Sequence, residues 1–292
     1  MSNTVALLGA NGQLGTALIR SWHEPDLELV PLSRQMLDIS DSAAVNEHLS
    51  ACGPRVIINC AAYTAVDAAE DEKSEAYAVN QRGTENIARW AHANRARVIH
   101  VSTDFVFNGE SSRPYKPEDN PAPLGVYGAS KLDGETALWK HKPEGAAVVR
   151  TGWLYSHHGN NFFTTMLKLL GERDYLNVVA DQVGTPTSTA GLAILLRQMA
   201  ARGAAGIYHF SDAGVASWYD FAMAIQEEAL ALGLLDREVP INPISSDQYP
   251  AKAKRPAYSV LDKARVYRDF SVAVVHWRVQ LRAVLLSLKN GD

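Results

Sequence analysis

Tyr127 and Lys131 stand four residues apart in VYGASKLDGE, a spacing that sets a phenol and an ammonium on one helix face. A phenol ordinarily keeps its proton to about pH 10. A fixed positive charge beside it stabilises the phenolate, so the pair is expected to bring that proton within reach near neutrality. Lowering the phenol by about three units requires about 4 kcal/mol, within the means of a close ammonium in a partly buried site. Surface helices also produce Tyr-x-x-x-Lys by chance, so the rest of the chain must decide. Ser102-Thr103-Asp104 ends the apolar run ARVIHVST, at the strand edge where open parallel sheets bind ligands. Thr103 is placed to hydrogen-bond a carbonyl oxygen; its plainer role is to close a strand and cap a turn.

Gly9, Gly12 and Gly15 form G-x-x-G-x-x-G between an apolar strand and a helix-like stretch. Backbone without Cβ admits a pyrophosphate, and the helix N-terminus offers amide donors; a tight strand-to-helix turn is the plainer alternative. After the second strand the chain carries Ser33-Arg34 and no acid, which leans toward NADPH or toward tolerance of NADPH and NADH. Arg34 could equally be a solvated surface arginine. Asp38-Ile39 reads as an adenine-edge contact, with Asp38 also a candidate helix N-cap. These parts fit carbonyl reduction. Hydride addition would leave negative charge on the carbonyl oxygen, Tyr127 would protonate it, Thr103 would hold it, and Lys131 would orient the cofactor ribose.

Positioning such a set calls for alternating strands and helices. Apolar strands are expected at 5–9, 27–33, 56–62, 96–103 and 146–155, with a helix at 74–94. That alternation predicts an α/β fold, a Rossmann-type doubly wound parallel sheet. It would occupy residues 1–150, with a smaller C-terminal α/β substrate-binding domain over 151–292, some of whose segments could return to the first. In the second half, helices are expected over 160–173, 217–233 (with Ser217 as N-cap), around TAGLAILLRQMAARG, and in HWRVQLRAVLLSLKN. LNVVAD and GIYHFSD are strand candidates. Proline-rich stretches at 113–125 and 239–256 read as long functional loops.

The 292 residues bear a net charge of −4 with mixed signs, which argues against a nucleic-acid partner. The first residues show no basic leader and no apolar run reaches membrane length, so a reducing cytoplasm is the default. Cys52 and Cys60 have no metal-ligand spacing, and Cys60 reads as a buried small hydrophobe.

GANGQLG, LDISD, NCAAYTAVDAAE, VNQRGTENIA, STDFVFNG, PLGVYGASKLDGE, RTGWLY, GNNF, DQVGTPT and KRPAYSVLD together resemble the dTDP-4-dehydrorhamnose reductase family of extended short-chain dehydrogenases/reductases. The likeness runs through nearly the whole chain. It implies reduction of the 4-keto group of dTDP-4-dehydro-β-L-rhamnose by NADPH or NADH, the last step of dTDP-rhamnose biosynthesis. By motif, Thr103, Tyr127 and Lys131 match the catalytic group. Asn11, Gly12, Gln13, Leu14, Asp38, Ile39, Ala61, Ala62 and Thr64 match cofactor contacts, and Thr103, Asp104 and Trp153 match sugar contacts. Trp153 as core packing is the alternative. Asn160-Asn161 and Arg255 are candidates for the substrate diphosphate, although asparagines opening a helix are commonly caps. Some members carry glutamate after GQ-x-G, associated with a magnesium-linked dimer. Thr16 stands there in this chain, so no such metal site is expected and a homodimer stays open. Rival readings are a reductase or epimerase for another nucleotide 4-keto-6-deoxy sugar, or a nucleotide-binding regulatory subunit.

Overall fold

The computed structural model describes residues 3–141 and 143–291. Short runs of Val, Ile, Leu and Ala form the first strands, because strands covered on both faces need apolar side chains on both. In the first half these are β1 (Thr4–Leu8), β2 (Glu28–Leu32), β3 (Val56–Asn59), β4 (Arg97–Thr103) and β5 (Ala147–Thr151). Between them lie α1 (Gln13–Ser21), α2 (Ser42–Cys52), α3 (Lys73–Tyr77), α4 (Thr84–Asn94) and α5 (Val126–His141). The second half supplies β6 (Leu154–Tyr155), α6 (Phe162–Glu172), β7 (Leu176–Val179), β8 (Val183–Gly184) and β9 (Thr187–Ser188). It continues with α7 (Thr189–Arg202), β10 (Gly206–His209), β11 (Ala216–Ser217), α8 (Trp218–Ala231), β12 (Ile241–Ile244), α9 (Ala264–Asp269) and α10 (Trp277–Asn290).

Six strands form one parallel sheet in the order β10-β5-β4-β3-β1-β2. The chain leaves β1 toward β2 and then returns to place β3 on the other side of β1. The glycine turn after β1 therefore lies at the point where strand order reverses, the place such sheets bind ligands. Leu14 and Leu18 of α1 join Leu192 to Ala200 of α7 on one face. Val45, Leu49, Ile87, Ala91 and Leu138 cover the other from α2, α4 and α5. Burying each large aliphatic side chain contributes about 1.5–3 kcal/mol. A second core joins α6, α8, α10, β7 and β12 through Phe163, Leu170, Phe221, Ile225 and Leu281.

Several local expectations need correction. The helix expected at 74–94 is α3 and α4 joined through a wider π-turn at Ala78–Gly83. The strand expected at 146–155 stops at Thr151, because Trp153 takes a left-handed φ of 53° and sends Leu154–Tyr155 to pair with β9. GIYHFSD does supply a strand as expected, β10, which joins the main sheet beside β5. The loop at 239–256 contains β12, paired with β7. Asp41, not Asp38, caps α2 by accepting from the amides of Ala43 and Ala44. Ser217 caps α8 as expected, in a reciprocal box with Asp220.

Candidate active site

The turn after β1 is pressed against the exit of β3. A Cβ on Gly9 would come within 2.7 Å of the Ala61 amide, and one on Gly15 within 2.4 Å of the Gly9 carbonyl. Gly12 caps α1 with no side chain, so the first-turn amides have no side-chain partner at the cap. Gly9 and Gly12 border two adjoining clefts. One, of about 240 Å³, is lined by Asn11, Arg34, Asp38, Ile39, Ala61 and Ala62 among others. The other, of about 520 Å³, takes in Gln13, Leu14, Gly15 and Thr64, then Thr103, Asp104, Tyr127, Lys131 and Trp153.

At the first cleft Arg34 is largely exposed and pairs with Glu75 at 3.0 Å and Asp38 at 4.0 Å. Asp38 accepts from the Ser40 amide and hydroxyl, which hold its carboxyl below the usual range. Ile39 is buried under the π-turn, where a Cβ on Gly83 would strike its Cγ1.

In the second cleft, Tyr127 hydrogen-bonds Thr103 and meets Phe105 edge-on at 5.6 Å. Thr103 also caps the turn after β4, accepting from the Phe105 amide at 3.2 Å. Lys131 behaves differently from the sequence expectation. Its Nζ donates to the Val101 carbonyl at 2.7 Å and lies 3.4 Å from His100 Nε2. Burial, with some help from Asp104, pushes the Tyr127 phenol up to about 12 rather than down. Burial likewise pulls the Lys131 ammonium down to about 8. Tyr127 is therefore a phenol that keeps its proton, because desolvation of a phenolate outweighs an ammonium directed elsewhere. Cys60 at the cleft floor is a protonated thiol, raised by burial to about 12. Burial raises Asp104 to about 6, and its Oδ2 has no hydrogen-bond partner.

Trp153, Asn161 and Arg255 also reach this cleft. Trp153 stacks on Trp218 with centroids 3.4 Å apart and planes 1° apart. Asn161 caps α6, and its Nδ2 lies within hydrogen-bond distance of Gln13 Oε1, Ser156 O and His158 O. It thereby ties the second half to the glycine turn. Arg255 grips Asp67 through both carboxylate oxygens, at 3.1 and 2.6 Å. Phe162, Trp218 and Arg255 border this cleft and a third cavity of about 680 Å³. That cavity is mainly apolar, with Leu169, Val178 and Tyr249 on its walls and Lys252 and Ser246 at its polar side. The three spaces thus adjoin in sequence, with Tyr127 and Thr103 in the middle one.

The family model for the RmlD substrate binding domain matches residues 3–290. The chain belongs to this family. It is 41% identical to a dTDP-4-dehydrorhamnose reductase of Aggregatibacter actinomycetemcomitans, covering 95% of this chain and 97% of the relative. It is 38% identical to the spore coat polysaccharide biosynthesis protein SpsK of Bacillus subtilis, over 96% of each. A solved dTDP-4-dehydrorhamnose reductase of Bacillus anthracis, in complex with NADP, superposes with a TM-score of 0.92 at 34% identity. That match covers 98% of this chain and all of the other.

Three groups that shape this RmlD-family cleft were not singled out as site residues in the sequence. Asn80, in the π-turn, accepts from the Tyr63 amide and donates to the Tyr63 carbonyl and Ser130 hydroxyl, fixing the 61–64 loop against α5. Glu135, fully inside, accepts from Ser102 Oγ at 2.5 Å and from Arg150 Nη2 at 2.7 Å, anchoring the end of β4. Trp218 backs Trp153. VNQRGTENIA carried Asn80 and PLGVYGASKLDGE carried Glu135 only as parts of the family likeness, and the role of Trp218 depends on long-range contacts. Among the described residues no helix is long and apolar enough to cross a membrane.

Proposed function

We propose that this chain reduces the 4-keto group of dTDP-4-dehydro-β-L-rhamnose to the hydroxyl of dTDP-β-L-rhamnose, with NADPH and also NADH. The observation that carries this is the arrangement of adjoining spaces. A glycine-turn cleft and an apolar cavity sized for a nucleotide meet where Tyr127 and Thr103 face each other. Relatives named dTDP-4-dehydrorhamnose reductase that match over 95% or more of this chain support the same substrate. Residues 1–150 would chiefly hold the dinucleotide and residues 151–292 the sugar nucleotide, in the cytoplasm. The rival substrate, another nucleotide 4-keto-6-deoxy sugar, is tested by substituting it in the assay below.

The cofactor-side residues fit a dinucleotide. Gly12 leaves the α1 amides open to a pyrophosphate. Arg34 stands at the adenosine end, able to turn from Glu75 toward a 2′-phosphate, and Asp38, Ile39, Ala61 and Ala62 wall that end. A bound reduced nicotinamide supplies hydride. The chain's own groups manage the oxygen: Tyr127 donates its phenolic proton to it, and the Thr103 hydroxyl hydrogen-bonds it as negative charge develops. Lys131, beneath them, positions the ribose. Asp104 Oδ2 takes a sugar hydroxyl as the donor it otherwise lacks. Trp153 offers its face to the pyranose, and Arg255 stands between the sugar and nucleotide spaces, where the diphosphate passes.

Purified protein mixed with NADPH and dTDP-4-dehydro-β-L-rhamnose should lose the absorbance of the reduced nicotinamide only when the keto sugar is present. No loss with either cofactor, despite nucleotide binding, would overturn the reading. Gly12→Val places a side chain at the mouth of both clefts at an ordinary φ of −72°, its Cβ in a tight 3.3 Å contact with the Gly9 carbonyl that a small shift of the turn must relieve. It should fold normally and weaken NADPH binding about tenfold or more, measured by quenching of protein fluorescence.

A further inference from the structure

His100 lies in the middle of β4, opposite Asn59 of β3 in the parallel register, and both side chains are fully buried. The Ala61 amide donates to Asn59 Oδ1 at 3.1 Å. That bond settles which end of the Asn59 amide faces inward: its NH₂ group points at His100 Nδ1, 3.1 Å away. A nitrogen that receives a hydrogen bond carries no proton, so the ring proton of a neutral His100 must sit on Nε2. Burial and the neighbouring lysine keep the ring neutral. Nε2 is the atom that lies 3.4 Å from Lys131 Nζ.

An N–H aimed at Lys131 matches the lone pair of an amine and opposes an ammonium. We propose that Asn59 fixes this tautomer and that His100 is thereby a positioning residue, governing how far up the pH scale Lys131 remains an ammonium. The Val101 carbonyl, accepting from Nζ at 2.7 Å, pulls the other way. So does Glu135 from the same helix, while Arg150 is bound to it and tempers its charge, and Cys60 beyond the end of β3 is a neutral thiol that adds no charge in this range. Tyr127, one turn earlier on α5, stays a neutral phenol. Burial by itself already draws the Lys131 ammonium down, and the His100 N–H acts in the same direction. The consequence for activity rests on the assignment of Lys131 proposed above; the tautomer does not.

The sign of the effect is what separates this arrangement from its opposite. With Nε2–H facing Lys131, His100→Met removes an opponent of the ammonium, and the lysine should titrate at higher pH. Were Nε2 a bare acceptor, the same change would remove a partner and the titration would fall. Two measurements decide. In the wild-type protein labelled with ¹⁵N-histidine, the His100 resonances should show Nδ1 unprotonated and Nε2 protonated. In protein labelled with ¹³Cε-lysine, with Lys131 assigned by K131R, the Lys131 midpoint should move up by about one pH unit in H100M. The alkaline fall of kcat/KM should move with it, while KM for the keto sugar stays close to wild type. A wild-type spectrum with Nδ1 protonated, or a Lys131 midpoint that falls or stays in H100M, would overturn the proposal. If the lysine midpoint moves while the wild-type protein turns over no keto sugar, the functional reading fails and the tautomer stands.

Discussion

Tyr127→Phe should lower the rate of keto-sugar reduction by about 10²–10⁴-fold, the usual contribution of one positioned general acid. NADPH affinity should barely change. The ring keeps its edge-on contact with Phe105, and only the hydroxyl shared with Thr103 is lost. Reduction requires the phenol to arrive protonated, and burial that lifts it to about 12 ensures this across the working range. The phenol should therefore give no limb to the pH–rate profile near neutrality. Lys131, pulled down to about 8, loses its charge as pH rises through that value, so activity should decline above it. Steady-state kinetics of wild type and variant between acid and alkaline pH check both statements. A variant that retains more than a tenth of the rate would remove Tyr127 from the chemistry.

The largest effect on stability should come from Glu135. Its carboxylate holds Arg150 Nε at 3.0 Å and Nη2 at 2.7 Å, together with the Ser102 hydroxyl, and all three side chains are buried. Glu135→Ala would leave the Arg150 guanidinium inside the protein with no counter-charge. Phe107, whose ring centroid lies 5.2 Å from the guanidinium carbon, cannot replace the carboxylate. The expected loss is about 3–5 kcal/mol, read from urea unfolding. Replacing both members, Glu135→Leu with Arg150→Met, should recover much of it, because desolvating the pair nearly offsets its attraction. A single variant as stable as wild type would show that the pair does not anchor β4.

Much of this molecule is written locally. The apolar runs of β1, β3 and β4 announce a buried parallel sheet, and the glycines at 9, 12 and 15 announce the turn that must press on Ala61. Tyr127 and Lys131 lie on one helix because four residues make about one turn. What the helix does with them is a tertiary matter. The i,i+4 rule places Lys131 beside Tyr127 but cannot show that Val101 and His100 draw its amine inward. Desolvation, which decides the phenol's acidity, is likewise invisible without the surrounding strands. Arg255 in its proline-rich loop reads as a diphosphate candidate, but no local pattern shows that Asp67, nearly two hundred residues earlier, is its partner. The edge strand β10 joins β5 through pairing that no local pattern encodes. The left-handed turn at Trp153 is foreign to a residue with a large side chain and lacks a sequence signal; the stack on Trp218 and the β6–β9 pairing accompany it.

A reductase acting on a dTDP-4-keto sugar must exchange its cofactor at every turnover. The most direct measurement is the stoichiometry of NADPH consumed against sugar nucleotide formed, with the product identified by mass and NMR. One NADPH should be oxidised per keto sugar, giving a product heavier than the substrate by one H₂, with a new hydroxyl-bearing carbon at C4. Conversion of the sugar without net NADPH oxidation would mark an epimerase instead and contradict the reductase reading.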